Sequence, residues 1–324
     1  MLPSPIRRPA TVMSPGILGL VLLAALLHVA WNVILKRAGD PLGTAALAMV
    51  AAAVVSVPIG LAVVGTNEAV RLAPEAGPAV IGLATVSGLV EAIYLVLLSA
   101  AYRRGALSVV YPTSRGTAPL LAAVVGLAVL GERLAPTGFL GLGLLVGGLL
   151  VLVRPWRMLG RLGPWGPGRD GHWWEDPAIL ALATGVAIAT YTSLDRVAVR
   201  LVDPWLYGAL VWPAMAVWTV MAERILRTRA SRRRPAANPD PAPGDGIGRA
   251  VAAGIFSYAA YGLVLLALSV APLTAVAPLR ESAVVLASGW GALRMREAAS
   301  GGAAGIRIAA AAAIVAGAVL LAVG

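Results

Sequence analysis

ALSVVYPTSRGTAPLL at residues 106–121 returns, altered but aligned, as APLTAVAPLRESAVVL at residues 271–286. Each copy pairs prolines with one arginine, Arg115 between Pro112 and Pro119 in the first and Arg280 after Pro272 and Pro278 in the second, the arginines 165 residues apart. Other polar pairs keep nearly that offset. Glu132 matches Glu297 at 165, Asp40-Pro41 matches Asp203-Pro204 at 163, and His28 and Asn32 fall on Tyr191 and Asp195 at the same 163. Chance supplies one such coincidence; several at nearly one offset indicate an internal repeat.

What repeats is a set of apolar segments. The 324-residue chain is 59% hydrophobic and only 13% charged, with a mean hydropathy of +0.84. A soluble domain is roughly one quarter charged and about half apolar, so this composition calls for a bilayer. A hydrocarbon core of about 30 Å takes about 20 helical residues. By that ruler ten segments qualify: 17–35, 43–64, 79–101, 106–130, 137–153, 178–198, 204–222, 250–270, 273–293 and 302–322. Ten spans divide into two fives. Five is odd, so the second unit enters the membrane from the opposite side, the architecture of secondary transporters with a site near the midplane.

The predicted fold class is therefore all-α integral membrane, with ten transmembrane helices in two inverted five-helix repeats. Residues 1–16 form an N-terminal tail, 17–153 the first repeat, 154–177 an interfacial loop and 178–322 the second repeat. The last contains a basic, Pro-rich loop at 223–249 that reads as flexible. Trp156, Trp165, Trp173 and Trp174 suit an interfacial belt.

Composition also excludes. The absence of cysteine removes disulfides, thiolate catalysis and Cys-bound metals. His28 and His172 are too few and too far apart for a histidine metal site, so no metal and no cofactor is expected. The net charge of +11, from 26 basic and 15 acidic residues, lies mostly in short segments between apolar runs. That pattern is a topology signal and not a nucleic-acid footprint. Loops after odd-numbered spans hold 17 basic residues and the opposite side 6, which puts the odd loops in the cytoplasm and both termini outside. Gly141-x-Gly143 in GLGLLVGG (141–148) imitates a nucleotide-binding loop, but neither a strand nor a later acid frames it; it reads as a helix-packing face. Arg7 and Arg8 before an apolar run have the order of a signal peptide. The run carries His28, Trp31, Asn32 and Lys36, however, and reads as the first span.

LLHVAWNVILKRAGD (26–40), YRRGALSVVYPTSRGTAPLLAAVVGLAVLGERL (102–134) and GLGLLVGGLLVLV (141–153) resemble the first EamA-type unit of the drug/metabolite transporter superfamily. The spacing from the Pro-containing fourth span to Gly131-Glu132 is similar to that unit, and the second half departs from it with Arg296-Glu297. The YPxxRGxxP version, with Tyr-Arg-Arg-Gly before it, looks most like a branch linked to phosphonate-utilisation gene clusters. The resemblance implies ten helices and movement of small metabolites. It also suggests both termini in the cytoplasm, opposite to the charge count, and it fixes no substrate.

A charge at the bilayer centre costs about 2.5–3.5 kcal/mol by insertion scales. Glu91, Arg115, Asp195, Arg280 and Glu281 lie inside spans and so require partners or a wet cavity. Arg115 shares a helix face with Tyr111, four residues earlier. Arg115 and Arg280 facing each other across the repeat axis would seat a carboxylate, phosphate or phosphonate. The alternative is salt bridging, with Glu281 on Arg115 and either Glu91 or Asp195 on Arg280. Glu91 shares a face with Tyr94, and Asp195 with Tyr191. A poorly solvated carboxyl can exchange a proton near neutral pH, so both acids are candidates for proton coupling or simply neutralise the arginines. His28, Trp31 and Asn32 form one polar-aromatic face.

The expected substrate contacts are thus Arg115, Arg280, Tyr111, His28, Trp31, Asn32 and Tyr94, with Glu91, Asp195 and Glu281 as coupling or charge partners. Tyr102, Tyr258 and Tyr261 are cavity lining or interfacial anchors, and Glu132 and Glu297 are helix-end residues or gate partners. The first, third, fourth, sixth, eighth and ninth spans should bound the cavity. The function this predicts is secondary-active transport of a small polar metabolite, anionic or zwitterionic, such as an amino acid or an organophosphonate-like molecule, by alternating access. Its partners are that small molecule, the lipid bilayer of the cell membrane and a coupling proton; it is multi-pass, monomer or homodimer, without catalytic residues. Two rivals fit less well. A membrane-embedded enzyme acting on a lipid would carry an interfacial cluster of acids or histidines, and a passive channel would carry pore-lining polar residues on many helices.

Overall fold

The Asp-Pro pairs that mark the repeat turn out to be helix starts. Asp40 Oδ1 accepts the Gly43 N–H at 3.2 Å, and Asp203 Oδ1 accepts the Trp205 N–H at 2.8 Å, each with proline at the first helical position. An aspartate at the cap satisfies an orphan N–H, and proline there loses nothing because its missing N–H would be unpaired anyway. Ser14 and Pro15 open the first helix in the same way.

The computed structural model describes residues 14–66, 77–105, 107–153, 176–233, 246–281 and 309–320, the last without 311, 315 and 318. In chain order the helices are α1 (Pro15–Lys36), α2 (Pro41–Thr66), α3 (Gly77–Arg104), α4 (Leu107–Ala128) and α5 (Pro136–Val153). Then come α6 (Pro177–Ala198), α7 (Pro204–Arg233), α8 (Ile247–Val270) and α9 (Leu273–Glu281). Helical residues follow again between 309 and 320. No strand occurs among the described residues. Among the described residues five helices are long and apolar enough to cross a membrane: α1, α2, α3, α7 over 204–231, and α8. Large aliphatic side chains face outward, Val54, Leu61 and Val217 each being about two-thirds exposed, while Glu91, Arg115, Asp195 and Arg280 are buried. This is the distribution expected where lipid, not water, is the solvent.

Packing follows the repeat. α2 lies on α7 and α4 on α9, while α3 on α6 is echoed by α1 on α8, and α3 on α7 by α2 on α8. Matching α1–α4 with α6–α9 carries each of these contacts onto itself or its echo. Two glycines allow the echoed crossings to be close. A Cβ at Gly88 of α3 would sit 2.7 Å from the Met215 backbone N of α7; one at Gly254 of α8 would run into the Ala48 carbonyl of α2. In α5, Gly141, Leu145 and Gly148 are buried at helical spacing. Gly148 meets Ala310 and Ile314, and Gly317 meets Gly141 and Leu145, so the 141–148 run is a packing face.

One expectation needs correcting. The loop foreseen at 223–249 begins as helix, because α7 continues to Arg233 for 30 residues. At about 1.5 Å per residue it outruns a bilayer core of about 30 Å. RILRTRASRR contains good helix formers and no proline, and Glu223 pairs with Arg227 one turn on. The tryptophans of 154–175 and the rest of the ninth span lie outside the described residues.

Candidate functional site

Six helices converge on a narrow internal cavity. α1 contributes His28 and Trp31, α2 Met49, α3 Glu91, Tyr94 and Leu95, α6 Tyr191, α7 Trp212 and Met215, and α8 Ser257 and Tyr261. About 20 Å³ is open to the centres of water molecules, room for one or two waters and no metabolite. Aromatic edges meet faces along its wall: Tyr94–Tyr191 at 5.8 Å, Tyr191–Tyr261 at 5.6 Å, Trp212–Tyr261 at 6.4 Å and His28–Trp31 at 5.9 Å between centroids. Such contacts hold the rings in fixed orientations.

Four residues of this wall carry a buried polar atom with no hydrogen-bond partner among the described residues: His28 Nδ1, Trp31 Nε1, Trp212 Nε1 and Glu91 Oε2. Leaving a buried polar group unmatched costs about 1–3 kcal/mol each. Four around one small space mark a place where something from outside the chain, water or solute, completes the bonding.

Asp195 is the opposite case. It is fully buried, although only three residues from the end of α6. Its Oδ1 accepts Ser87 Oγ of α3 at 2.5 Å and Tyr207 OH of α7 at 2.6 Å, and its Oδ2 accepts Tyr261 OH of α8. One carboxylate thereby ties four helices together through hydroxyl donors. Its partners are hydroxyls where the sequence suggested arginine.

The arginines stand behind the wall. Arg115 and Arg280 are both buried, but neither lines the cavity among the described residues. Arg280 Nη1 approaches Thr192 Oγ1 at 3.5 Å and acts electrostatically on His28, Glu91 and Asp195; Arg115 acts on His28. The side chains of Tyr111 and Glu281 lie outside the described residues. Hence α2 and α7 replace the expected fourth and ninth spans at the cavity, since α4 and α9 pack on each other. Asn32 is also buried off the wall, donating to the His28 carbonyl at 2.7 Å and accepting Tyr102 OH at 3.3 Å. Tyr102, Tyr258 and Tyr261 are all buried, so none is an interfacial anchor.

The sequence reading passed over Trp212, Met49, Met215 and Ser257. Only Trp212 left a signal, as a tryptophan too far inside α7 to sit at a membrane interface.

Glu132 acts at a helix end. Its Oε1 and Oε2 accept the Leu273 and Thr274 N–H groups at 2.8 and 2.9 Å, opening α9, while Arg196 Nε reaches Oε1 at 3.3 Å. Arg196 also donates to the Leu268 carbonyl in the last turn of α8. Lys36 plays the matching part in the first half, donating to the Tyr102 carbonyl at 2.8 Å and the Gly105 carbonyl at 3.4 Å at the end of α3. A cation at exposed C-terminal carbonyls and an anion at N-terminal N–H groups both complement the helix dipole. Glu297 lies outside the described residues.

Residues 15–154 match the sequence model of the EamA-like transporter family. The chain as a whole resembles a crystal structure described only as that of a protein, with a TM-score of 0.63 at 20% identity, over 94% of this chain and 97% of that one. At that identity the likeness speaks for the fold alone. No curated protein sequence matches. Nothing in these matches singles out the branch linked to phosphonate utilisation. The first half of this multi-pass membrane protein, residues 15–154, is thus similar to the EamA-like transporters.

Proposed function

We propose that this protein is a secondary-active transporter in which two inverted five-helix units, residues 17–153 and 178–322, carry a small polar metabolite by alternating access. The observation behind this reading is the cavity wall, where both units supply buried polar atoms that lack partners, His28, Trp31 and Glu91 from one and Trp212 from the other. With only about 20 Å³ open, the cavity has to widen for a solute to enter. Rocking of one unit against the other around a central site does that.

The wall favours a zwitterion over a doubly charged anion such as a phosphonate. Arg115 and Arg280 set the potential behind the cavity but do not line it among the described residues, whereas Glu91 does. Of the two buried acids, Asp195 has its oxygens taken by three hydroxyls, and Glu91 is the one with bonding capacity left at the cavity.

The absence of native cysteine makes the test clean. Ser257→Cys places a single thiol on the wall. Purified protein is screened by thermal shift against anionic, zwitterionic and cationic metabolites, before and after alkylation of that thiol. Ligands should stabilise the free thiol form and lose that effect once it is alkylated. Ligands unaffected by alkylation would put the binding site elsewhere.

A further inference from the structure

We infer that Glu91 is the counter-ion for an ammonium group on the transported molecule, and that the indole N–H groups of Trp31 and Trp212 receive an acceptor group on that same molecule. This rests on the transport reading above and narrows its substrate to a class.

Glu91 is the only acidic or basic side chain on the cavity wall besides His28, among the described residues. It is 4% exposed and its Oε2 has no partner. The comparison with Asp195 makes that informative. The same protein interior surrounds both acids, yet Asp195 receives three hydroxyl donors. Donors were available to this fold, and Glu91 Oε2 was left without one. A carboxylate in a poorly solvated place is retained when a cation completes it.

The rest of the wall fits a cation. Tyr94, Tyr191, Tyr261 and Trp212 form a continuous aromatic lining beside Glu91. Ring faces attract ammonium groups through their quadrupoles, and more strongly away from water. Trp31 and Trp212 each bring an N–H that can only donate and that finds no acceptor. They call for a carboxylate, carbonyl or hydroxyl oxygen on the ligand. A water can occupy the cavity, but it brings no cation to the wall side of Glu91, on which Arg280 acts only from behind. An amine joined to an oxygen acceptor satisfies all three residues together.

The test uses the purified full-length protein and three matched sets of probes: α-amino acids, the same skeletons without the amine, and the same skeletons without the carboxylate. Binding is measured calorimetrically. Wild-type protein should bind members of the two amine-bearing sets and not the carboxylic acids. Glu91→Gln should weaken those ligands at least about 100-fold, and Glu91→Asp should recover part of the loss. Trp31→Phe should weaken the amino acids about tenfold and leave the simple amines unchanged. Wild-type binding of the carboxylic acids on a par with the amino acids would overturn the inference without using any variant. So would an unchanged Kd for amines in folded Glu91→Gln, the result expected if Glu91 carried only a coupling proton. Amine ligands that still bind after alkylation of Ser257→Cys would instead overturn the cavity reading, and this inference with it.

Discussion

Glu132 Oε2 accepts the backbone N–H of Thr274 at 2.9 Å, across 142 residues of chain. A side chain just beyond α4 thus supplies an acceptor that the first turn of α9 lacks, and Arg196 holds it there. Glu132→Gln keeps the shape and removes the charge. It weakens the helix start by about 1 kcal/mol and leaves Arg196 with a poorer partner, a loss of about 2–4 kcal/mol in all. The midpoint of thermal unfolding in detergent measures it. Arg196→Met should cost little more once Glu132 is gone, because each acts through the other. Simple addition of the two losses would show that they do not form a unit.

Asp195 should prove structural. Asp195→Ala strands the hydroxyls of Ser87, Tyr207 and Tyr261 at about 1–3 kcal/mol each, enough to threaten folding. Asp195→Asn keeps one acceptor oxygen and should fall between alanine and wild type in melting temperature, with ligand affinity within about threefold of wild type once folded. Wild-type stability in Asp195→Ala would dissolve the four-helix tie.

Close helix crossings give a paired control. Gly88→Ala brings a methyl to 2.7 Å from the Met215 nitrogen and 2.9 Å from the Ala214 Cβ, so α3 and α7 must separate. Folded yield should drop sharply. Gly82 lies on the same helix, where an added Cβ meets nothing within 4 Å. Gly82→Ala should be neutral or stabilising by up to about 1 kcal/mol. Equal behaviour of the two variants, read by fluorescence-detected size exclusion, would contradict the packing.

Orientation should follow the basic end of α7. Arg224, Arg227 and Arg229 follow the apolar part of the helix and are exposed, and positive charge resists translocation most when it adjoins a span. Ser231, exposed near the end of α7, should therefore be cytoplasmic, with both termini outside. In intact cells a membrane-impermeant thiol reagent should leave Ser231→Cys unlabelled and label it after permeabilisation. Labelling of intact cells would show the opposite orientation, the one the family resemblance suggests.

The backbone plan was legible along the chain because lipid imposes a coarse rule. Apolar segments of the right length, Asp-Pro starts at Asp40 and Asp203, and the small-residue face of α5 are all local patterns. In these stretches neighbours along the helix decide the structure, and the expected boundaries of the first six and the eighth spans fall close to those observed. The exception, residues 223–233, arose from reading charge as loop, whereas arginine is a good helix former and continues a helix out of the membrane.

Which polar residues meet was a different matter. His28, Trp31, Glu91 and Tyr94 could be singled out because a polar group inside a span is costly wherever it points. Their shared wall with Trp212, Tyr191 and Tyr261 could not, nor could the exclusion of Arg115 and Arg280 from it. Sequence spacing tells which residues share one helix face. It carries no information on how that helix is rotated against another or on which helices cross closely, as at Gly88 and Gly254. Those depend on the packing of all the helices at once. The sequence by itself therefore determined the apolar helices and the supply of buried polar groups. Only the tertiary structure decided that Asp195 is satisfied by three hydroxyls while Glu91 is left facing the cavity, because helix rotation assigns each carboxylate its neighbours.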